Sequence, residues 1–168
     1  MKRYASLISA VTALAIQALA PSAFAEKQQE SGSFDVAYTT RNMQPISEGH
    51  ILLLAESTGT NNGGAVDGFS VRVREMADLD SGNGTNNGYV FYARGDDLQV
   101  VRITGKVSTT MKEGHPNTTM AGTWEIVSGK GSLANKKGEG TFSGYFTAED
   151  KYHIDWKGAS EGAQSSAK

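Results

Sequence analysis

Ser128 to Phe146, SGKGSLANKKGEGTFSGYF, places glycines among small polar residues, with Lys130 between two of them. Such a stretch is compatible with a phosphate-binding loop or with the turn of a β-hairpin. A Walker-type loop requires Gly, four residues, and then Gly-Lys-Ser/Thr. Trp124 occupies the first glycine position and Gly131 follows Lys130, so the motif fails twice. Residues 140–146 then alternate as a strand does, which predicts a hairpin.

Runs of strand composition continue on both sides of this hairpin, separated by Gly, Asn, Asp and Ser. They are Phe34–Thr40, His50–Ser57, Phe69–Met76, Tyr89–Arg94, Leu98–Ser108, Met120–Val127, Gly140–Thr147 and Tyr152–Trp156. In the third run Phe69, Val71 and Val73 alternate with polar residues, which is typical of a sheet with one buried face. Because the connections are mostly too short for crossover helices, we predict an all-β fold, a single eight-stranded antiparallel barrel without exposed edges.

The chain ends predict an exported protein. Lys2 and Arg3 precede a short apolar run, and Ala23-Phe24-Ala25 is typical of a cleavage site, so residues 1–25 are predicted to be a signal peptide removed after Ala25. The mature product would be periplasmic or secreted. Residues 26–33 and 159–168 have little to bury and are predicted to be disordered tails around a barrel domain at 34–158. The strand runs are mostly shorter than outer-membrane strands, which predicts no membrane insertion.

Composition excludes several classes of function. The chain has 16 basic and 18 acidic residues, and the predicted leader takes two of the basic ones, so nucleic acid is not an expected partner. No cysteine is present, which excludes disulfides, thiolate catalysis and iron–sulfur clusters. The three histidines lack the close spacing of a zinc site, and Asp78 to Gly88 lacks the Gly and Glu of a calcium loop. We therefore predict no metal.

Three segments resemble the allene oxide cyclase barrel superfamily, which includes dirigent proteins. The hairpin from Trp124 to Phe146 is similar to a late hairpin of that family. Tyr89–Asp96 and the strand that follows it resemble the paired middle strands, and His50–Glu56 resembles the first barrel strand. The resemblance implies a lipocalin-like barrel that takes a hydrophobic small molecule, needs no cofactor and forms a homo-oligomer, a trimer in related barrels.

By position, Glu56 inherits the role of the family's catalytic glutamate, which stabilises charge as an epoxide opens. Glu56 also shares strand parity with Leu52 and Leu54. If that face points inward, a carboxyl group in apolar surroundings is able to act as a general acid or base near neutral pH. The alternative interpretation is a strand-end carboxylate in water.

Candidate substrate-binding residues are aromatic or cationic side chains on the predicted strands. They are Tyr38, Tyr89, Tyr92, Arg94 and Arg102. Tyrosines could line a cavity and bond a ligand's oxygens, or fill the core with the hydroxyl at the rim. The arginines could meet at one anionic group, or lie on a solvated outer face.

Three functions are compatible with these residues. The leading hypothesis is a cofactor-free barrel that binds a hydrophobic small molecule and steers its isomerisation, cyclisation or lyase-type conversion. The second is a lipocalin- or dirigent-like binding protein without chemistry of its own. The third is an envelope or stress protein whose barrel is packed solid, because side chains can fill a barrel of eight strands.

Overall fold

The computed structural model describes residues 27–162, and the predicted signal peptide lies outside this range. Eight antiparallel strands, each paired with its neighbours in chain order, form a closed barrel. The strands are β1 (Gln28–Ser47), β2 (His50–Asn62), β3 (Ser70–Asp80), β4 (Asn83–Arg94), β5 (Asp97–Lys112), β6 (His115–Lys130), β7 (Lys137–Ala148) and β8 (Lys151–Glu161). The prediction of an eight-stranded antiparallel barrel is confirmed.

The alternation of apolar and polar residues determines which side chains fill the barrel. Val71 and Val73 on β3, and Tyr152 and Ile154 on β8, are buried, while the residues between them on each strand face outward or are more exposed. Phe69, just before β3, is also buried and continues the same inward face. These side chains belong to one apolar core that occupies the middle of the barrel. A small barrel is stabilised in this way because its interior is just wide enough for side chains.

The barrel closes where the first strand pairs with the last. Gln28 is opposite Ser160, and the antiparallel register continues to Ala37 opposite Lys151. Residues 28–33 and 159–161, which we expected to be disordered, therefore lie in strands. Composition did not indicate this, because these segments are held by main-chain pairing with each other rather than by apolar side chains.

A buried ion pair strengthens this closure. The Glu30 carboxylate contacts Lys136 Nζ at 2.6 Å, accepts a hydrogen bond from the Ala65 amide at 2.9 Å, and contacts the Ser160 hydroxyl. Burial opposes ionisation of Glu30, but these three partners outweigh it and hold its pKa below the ordinary value of 4.5. The cluster connects β1 to β8 and to two loops at the same end of the barrel.

That end of the barrel is capped by two short 3-10 turns, Gly64–Val66 after β2 and Gly131–Leu133 after β6. Val66 and Leu133 are buried and belong to the apolar core. The second turn is the glycine-rich segment of the sequence analysis, and it joins β6 to β7 as a hairpin. Gly131 has a φ of 68°, a left-handed conformation that suits glycine.

The opposite end is open. It carries the tight turns β1–β2, β3–β4, β5–β6 and β7–β8. There β1 continues past β8, because it pairs with β8 only to Ala37 but with β2 as far as Ser47, while β2 pairs with β3 as far as His50 opposite Asp80. Likewise β5 and β6 pair with each other as far as Lys112 and His115, beyond their other neighbours.

Candidate functional site

The open end of the barrel contains a cavity of about 520 Å³, which we call the mouth. Its walls are mostly apolar side chains of the strands, and its rim is polar backbone and side chains of the turns. The apolar walls are formed by Tyr38, Leu53, Ala77, Leu79, Val107 and Phe146. A water-accessible space with such walls is suited to a small apolar molecule.

Glu75 lies at the floor of the mouth, with only 8% of the residue exposed. It occupies an inward position of β3 between Val73 and Ala77, which are both buried. Asn86 Nδ2 donates to Glu75 Oε2 at 2.8 Å, and the Tyr152 hydroxyl donates to Oε1 at 3.3 Å. A carboxyl group is therefore fixed, by donors on both oxygens, inside the barrel.

Burial raises the pKa of Glu75 above its ordinary value of 4.5, and hydrogen bonds from Asn86, Tyr152 and Tyr38 oppose this only in part. Burial, followed by the nearby Glu75 charge, also raises the pKa values of Tyr38 and Tyr152. Both tyrosines are therefore neutral at physiological pH. Glu75 is the group at this site that can gain or lose a proton.

Below Glu75 is a second space of about 50 Å³ in the centre of the barrel. Glu75, Asn86 and Met120 border both spaces and form the partition between them. Two buried amide oxygens on its lining, Asn86 Oδ1 and Gln99 Oε1, have no hydrogen-bond partner among the described residues. This space has room for very few waters, so of the two spaces inside the barrel the mouth is the one with room for a ligand.

Glu56, whose predicted catalytic role required its face of β2 to point inward, is on the outer face of the barrel. It accepts from Arg74 Nε at 2.7 Å, with Arg72 Nε at 3.7 Å, and Leu54 on the same face is 45% exposed. The parity argument failed because β2 buries its other face, where Leu53, Ala55 and Ser57 lie. Apolar residues stand on both faces of this strand, so alternation did not distinguish inside from outside. The placement of Glu56 gives its predicted catalytic role no support.

The three tyrosines predicted to bind substrate lie in three different environments. Tyr38 lines the mouth. Tyr92 is buried in the core and borders the smaller space, not the mouth. Tyr89 is 45% exposed on the outer face, where Arg74 and Arg102 are its cross-strand neighbours. Only Tyr38 is placed to contact a molecule in the mouth.

The two predicted arginines do not meet at one anion. The Arg94 guanidinium lies 4.2 Å from the centre of the Phe69 ring and donates to the Asp67 carbonyl at the capped end. Arg102 forms an ion pair with Glu125 on the outer face. Both arginines therefore make contacts within the protein and do not converge on one anion.

Sequence analysis missed Glu75 and Asn86, although a signal for Glu75 was present. Glu75 has the same parity as Phe69, Val71 and Val73, which the alternation assigned to the buried face. A carboxylate that interrupts an apolar face is an unusual residue for a core. Asn86 had no comparable signal, because it stands in a polar run, Asn83 to Gly88, between two of the predicted strands.

The described range 27–162 contains no group of three or more His, Asp or Glu side chains that could hold a metal ion. His50 pairs with Asp78, and His153 pairs with Asp35 and Asp155 on the outside of the barrel. Within the same range, no helix has the length and apolar character needed to cross a membrane.

No family model matches this chain, and no curated protein matches it. Among solved structures, the chain is similar to one described as "Structure of the pterocarpan synthase dirigent protein GePTS1". The two are 10% identical, the match covers 90% of this chain and 100% of that chain, and the TM-score is 0.46. We therefore interpret the site from the residues of this chain alone.

Proposed function

We propose that this protein binds a hydrophobic small molecule in the mouth of its barrel. The single observation behind this proposal is Glu75, a buried carboxyl group at the floor of an apolar-walled cavity of about 520 Å³. Pockets for small molecules have volumes of roughly 300–1,000 Å³ and combine apolar walls with a few placed polar groups. A buried carboxyl group also costs stability in an apolar core, so its presence is better explained by a ligand than by packing.

The alternative of a solidly packed barrel applies only to the middle of the molecule. There the core side chains leave about 50 Å³. The mouth is different, because the β1–β2 hairpin continues past β8 and the β5–β6 hairpin continues past its neighbours β4 and β7, so both surround the open end. Leu53 and Thr109, which lie on these hairpins, both border the mouth.

A second candidate function is conversion of the bound molecule by isomerisation, cyclisation or lyase-type chemistry. The observation that favours it is the raised pKa of Glu75, which lets the carboxyl group stay protonated in an apolar site. In such a reaction Glu75 gives its proton to a substrate oxygen as a C–O bond opens, and regains a proton from the product or from water. Glu75 thus takes the role that we had expected of Glu56.

The binding proposal is tested with N-phenyl-1-naphthylamine, a probe whose fluorescence rises in apolar surroundings. Leu79→Trp places a large ring in the mouth, whereas Leu54→Trp makes the same change on the outer face. We expect the wild type and Leu54→Trp to bind the probe equally, and Leu79→Trp to bind it at least tenfold more weakly. Equal binding by all three proteins, or no saturable binding by any, contradicts the proposal.

We also propose that the mature chain starts at Glu26 after export, and that it forms a homo-oligomer. Both follow from the sequence expectations. N-terminal sequencing of the protein recovered from cell fractions and culture medium tests the first. Sedimentation equilibrium tests the second, and a purely monomeric protein would contradict it.

A further inference from the structure

Glu75 is a buried carboxylate without a countercharge. None of the ion pairs between residues 27 and 162 includes it. Glu30 differs from Glu75 in this respect, because its side chain is also largely buried but forms an ion pair with Lys136. Buried charges in proteins are normally paired, because an unpaired charge in an apolar site is very costly. Between residues 27 and 162 no cation is placed beside Glu75, so a ligand that carries a positive charge would stabilise the ionised form of this carboxyl group.

The rest of the mouth, as the described residues form it, lacks a cation as well. The ionisable acids on its lining are Glu75 at the floor and Glu149 at the rim, and no Lys, Arg or His from residues 27–162 lines it. Arg41 is close to the rim, where its guanidinium lies 5.7 Å from the centre of the Tyr38 ring and contacts the Glu149 side chain and carbonyl. Because Arg41 offsets the charge of Glu149, Glu75 at the floor is the acidic group that would attract a cation.

Three aromatic rings stand together beside Glu75. The Tyr38 and Tyr152 ring centres are 5.5 Å apart, and Phe146 lies 5.6 Å from Tyr152 and 6.3 Å from Tyr38. Tyr38 and Phe146 line the mouth. The faces of aromatic rings carry partial negative charge and attract cations, including alkylated ammonium groups. The walls are therefore suited to a cation and to its apolar substituents.

The hydrogen-bonding groups at the floor of the mouth also favour a ligand that donates hydrogen bonds. Asn86 Nδ2 and the Tyr152 hydroxyl are already committed to Glu75. What remains for a ligand is the acceptor capacity of the Glu75 oxygens, because Asn86 Oδ1, to which no described group donates, is enclosed by the protein. A metal cation would need further carboxylate or imidazole ligands, and the described residues offer no such group there.

We propose that the ligand is a lipophilic amine, bound as its ammonium ion, with an N–H group donating to Glu75 and the apolar portion in the mouth. This inference rests on the proposed binding function and specifies its ligand class. The ammonium ion supplies the missing countercharge, and the aromatic rings beside Glu75 contact the carbons attached to nitrogen.

Binding of this kind changes the protonation of Glu75. In the empty site burial raises the pKa of Glu75 and favours the protonated carboxyl group, whereas an ammonium ion beside it favours the ionised form. The groups that face Glu75 are Tyr38 on β1, Asn86 on β4 and Tyr152 on β8, and the pKa values of both tyrosines are raised, so neither ionises at neutral or acidic pH. Amine binding is therefore coupled to the release of a proton from Glu75.

The test compares 4-phenylbutylamine with 4-phenylbutan-1-ol and 4-phenylbutyrate, which share one apolar portion and differ in the polar group. Isothermal titration calorimetry is run at about pH 5 in two buffers of different ionisation enthalpy, which counts the protons released. We expect the amine to bind wild-type protein roughly ten- to a hundredfold more tightly than the alcohol, as a charge-assisted hydrogen bond implies. The carboxylate should bind most weakly.

Two variants locate the effect. Glu75→Gln should reduce the affinity for the amine about tenfold or more and change the affinity for the alcohol by less than about twofold. It should also abolish the proton release that accompanies amine binding. Glu149→Gln, at the exposed rim, should change amine affinity by less than about threefold. The comparison of the three probes on wild-type protein needs no variant, so the inference stays testable if Glu75→Gln folds poorly.

Alcohol or carboxylate affinity equal to or above that of the amine would overturn the inference. The same follows if Glu75→Gln keeps the preference for the amine. If the amine fails to bind while N-phenyl-1-naphthylamine still binds in the mouth, the ligand class is wrong and the proposed function stands. If N-phenyl-1-naphthylamine shows no binding that Leu79→Trp weakens, both proposals fail.

Discussion

Replacing Glu75 with Gln should stabilise the protein increasingly as the pH rises. The folded-state pKa of Glu75 is above 4.5 because of burial, whereas the unfolded chain has the ordinary value. Below pH 4.5 the carboxyl group is protonated in both the folded and the unfolded protein, so its ionisation does not affect stability. As the pH rises toward the folded-state pKa, the unfolded chain ionises first and the free energy of unfolding falls. The amide that Glu75→Gln introduces cannot ionise and avoids the loss. It can also pair with Asn86, whose Oδ1 accepts no hydrogen bond from the described residues.

The size of the effect follows from proton linkage. Between the unfolded and folded pKa values, wild-type protein loses about 1.4 kcal/mol of unfolding free energy per pH unit relative to the variant. Above the folded-state pKa the difference becomes constant. His153 changes wild-type stability over the same range, since hydrogen bonding to Asp35 raises its pKa. It is present in both proteins, so its contribution cancels in the difference.

Urea unfolding, followed by the fluorescence of Trp124 and Trp156, measures this difference at several values between about pH 5 and pH 8. Glu56→Gln is the matched control, because it removes a carboxylate from the outer face, where an ion pair contributes at most about 1 kcal/mol. We expect the difference in unfolding free energy between Glu75→Gln and wild type to increase with pH. The corresponding difference for Glu56→Gln should show no pH dependence of similar size. A Glu75 difference that is independent of pH would refute the reasoning from burial.

Two further predictions concern the barrel itself. Lys136→Met leaves Glu30 buried without its cation and should cost about 3 kcal/mol in urea unfolding, whereas Lys27→Met, in an exposed pair, should cost less than about 1 kcal/mol. Gly84→Ala drives a Cβ into the Asp78 carbonyl oxygen across the β3–β4 pair and should cost about 3 kcal/mol or more. Gly95→Ala, in open space at a φ of 58°, should cost about 1–2 kcal/mol by the same measurement. Equal losses within either pair would contradict these assignments.

The number and pairing of the strands were predictable because the relevant signals are local. Alternation around Val71 and around Ile154 indicated half-buried strands, and the glycine-rich segment after β6 indicated a turn. The extent of β1 and β8 was not predictable, because Gln28 and Ser160 gain their partners only when the two ends of the chain meet. No local property of either segment predicts that pairing.

The candidate site was harder to predict, because it depends on which face of each strand points inward. On β2 both faces carry apolar residues, so alternation could not decide whether the face of Glu56 or that of Ser57 points inward. On β3 the correct face was identified, yet Glu75 was not recognised as its exception. The hydrogen bond from Asn86 depends on the register of β3 against β4, which strand composition does not specify.

The pairing of β1 with β8 also affects the order in which the barrel assembles. Seven of the eight strand pairs join consecutive segments, while the eighth joins residues as far apart as Glu30 and Ser160. Closing such a long loop costs more chain entropy than forming any hairpin, so this pair should form last in folding. The edge of β1 that pairs with β8 must therefore stay unpaired until the whole barrel sequence is available. The Glu30 carboxylate, which contacts Ser160 of β8 and Lys136 of the β6–β7 loop, then stabilises the one strand pair that no turn of the chain connects.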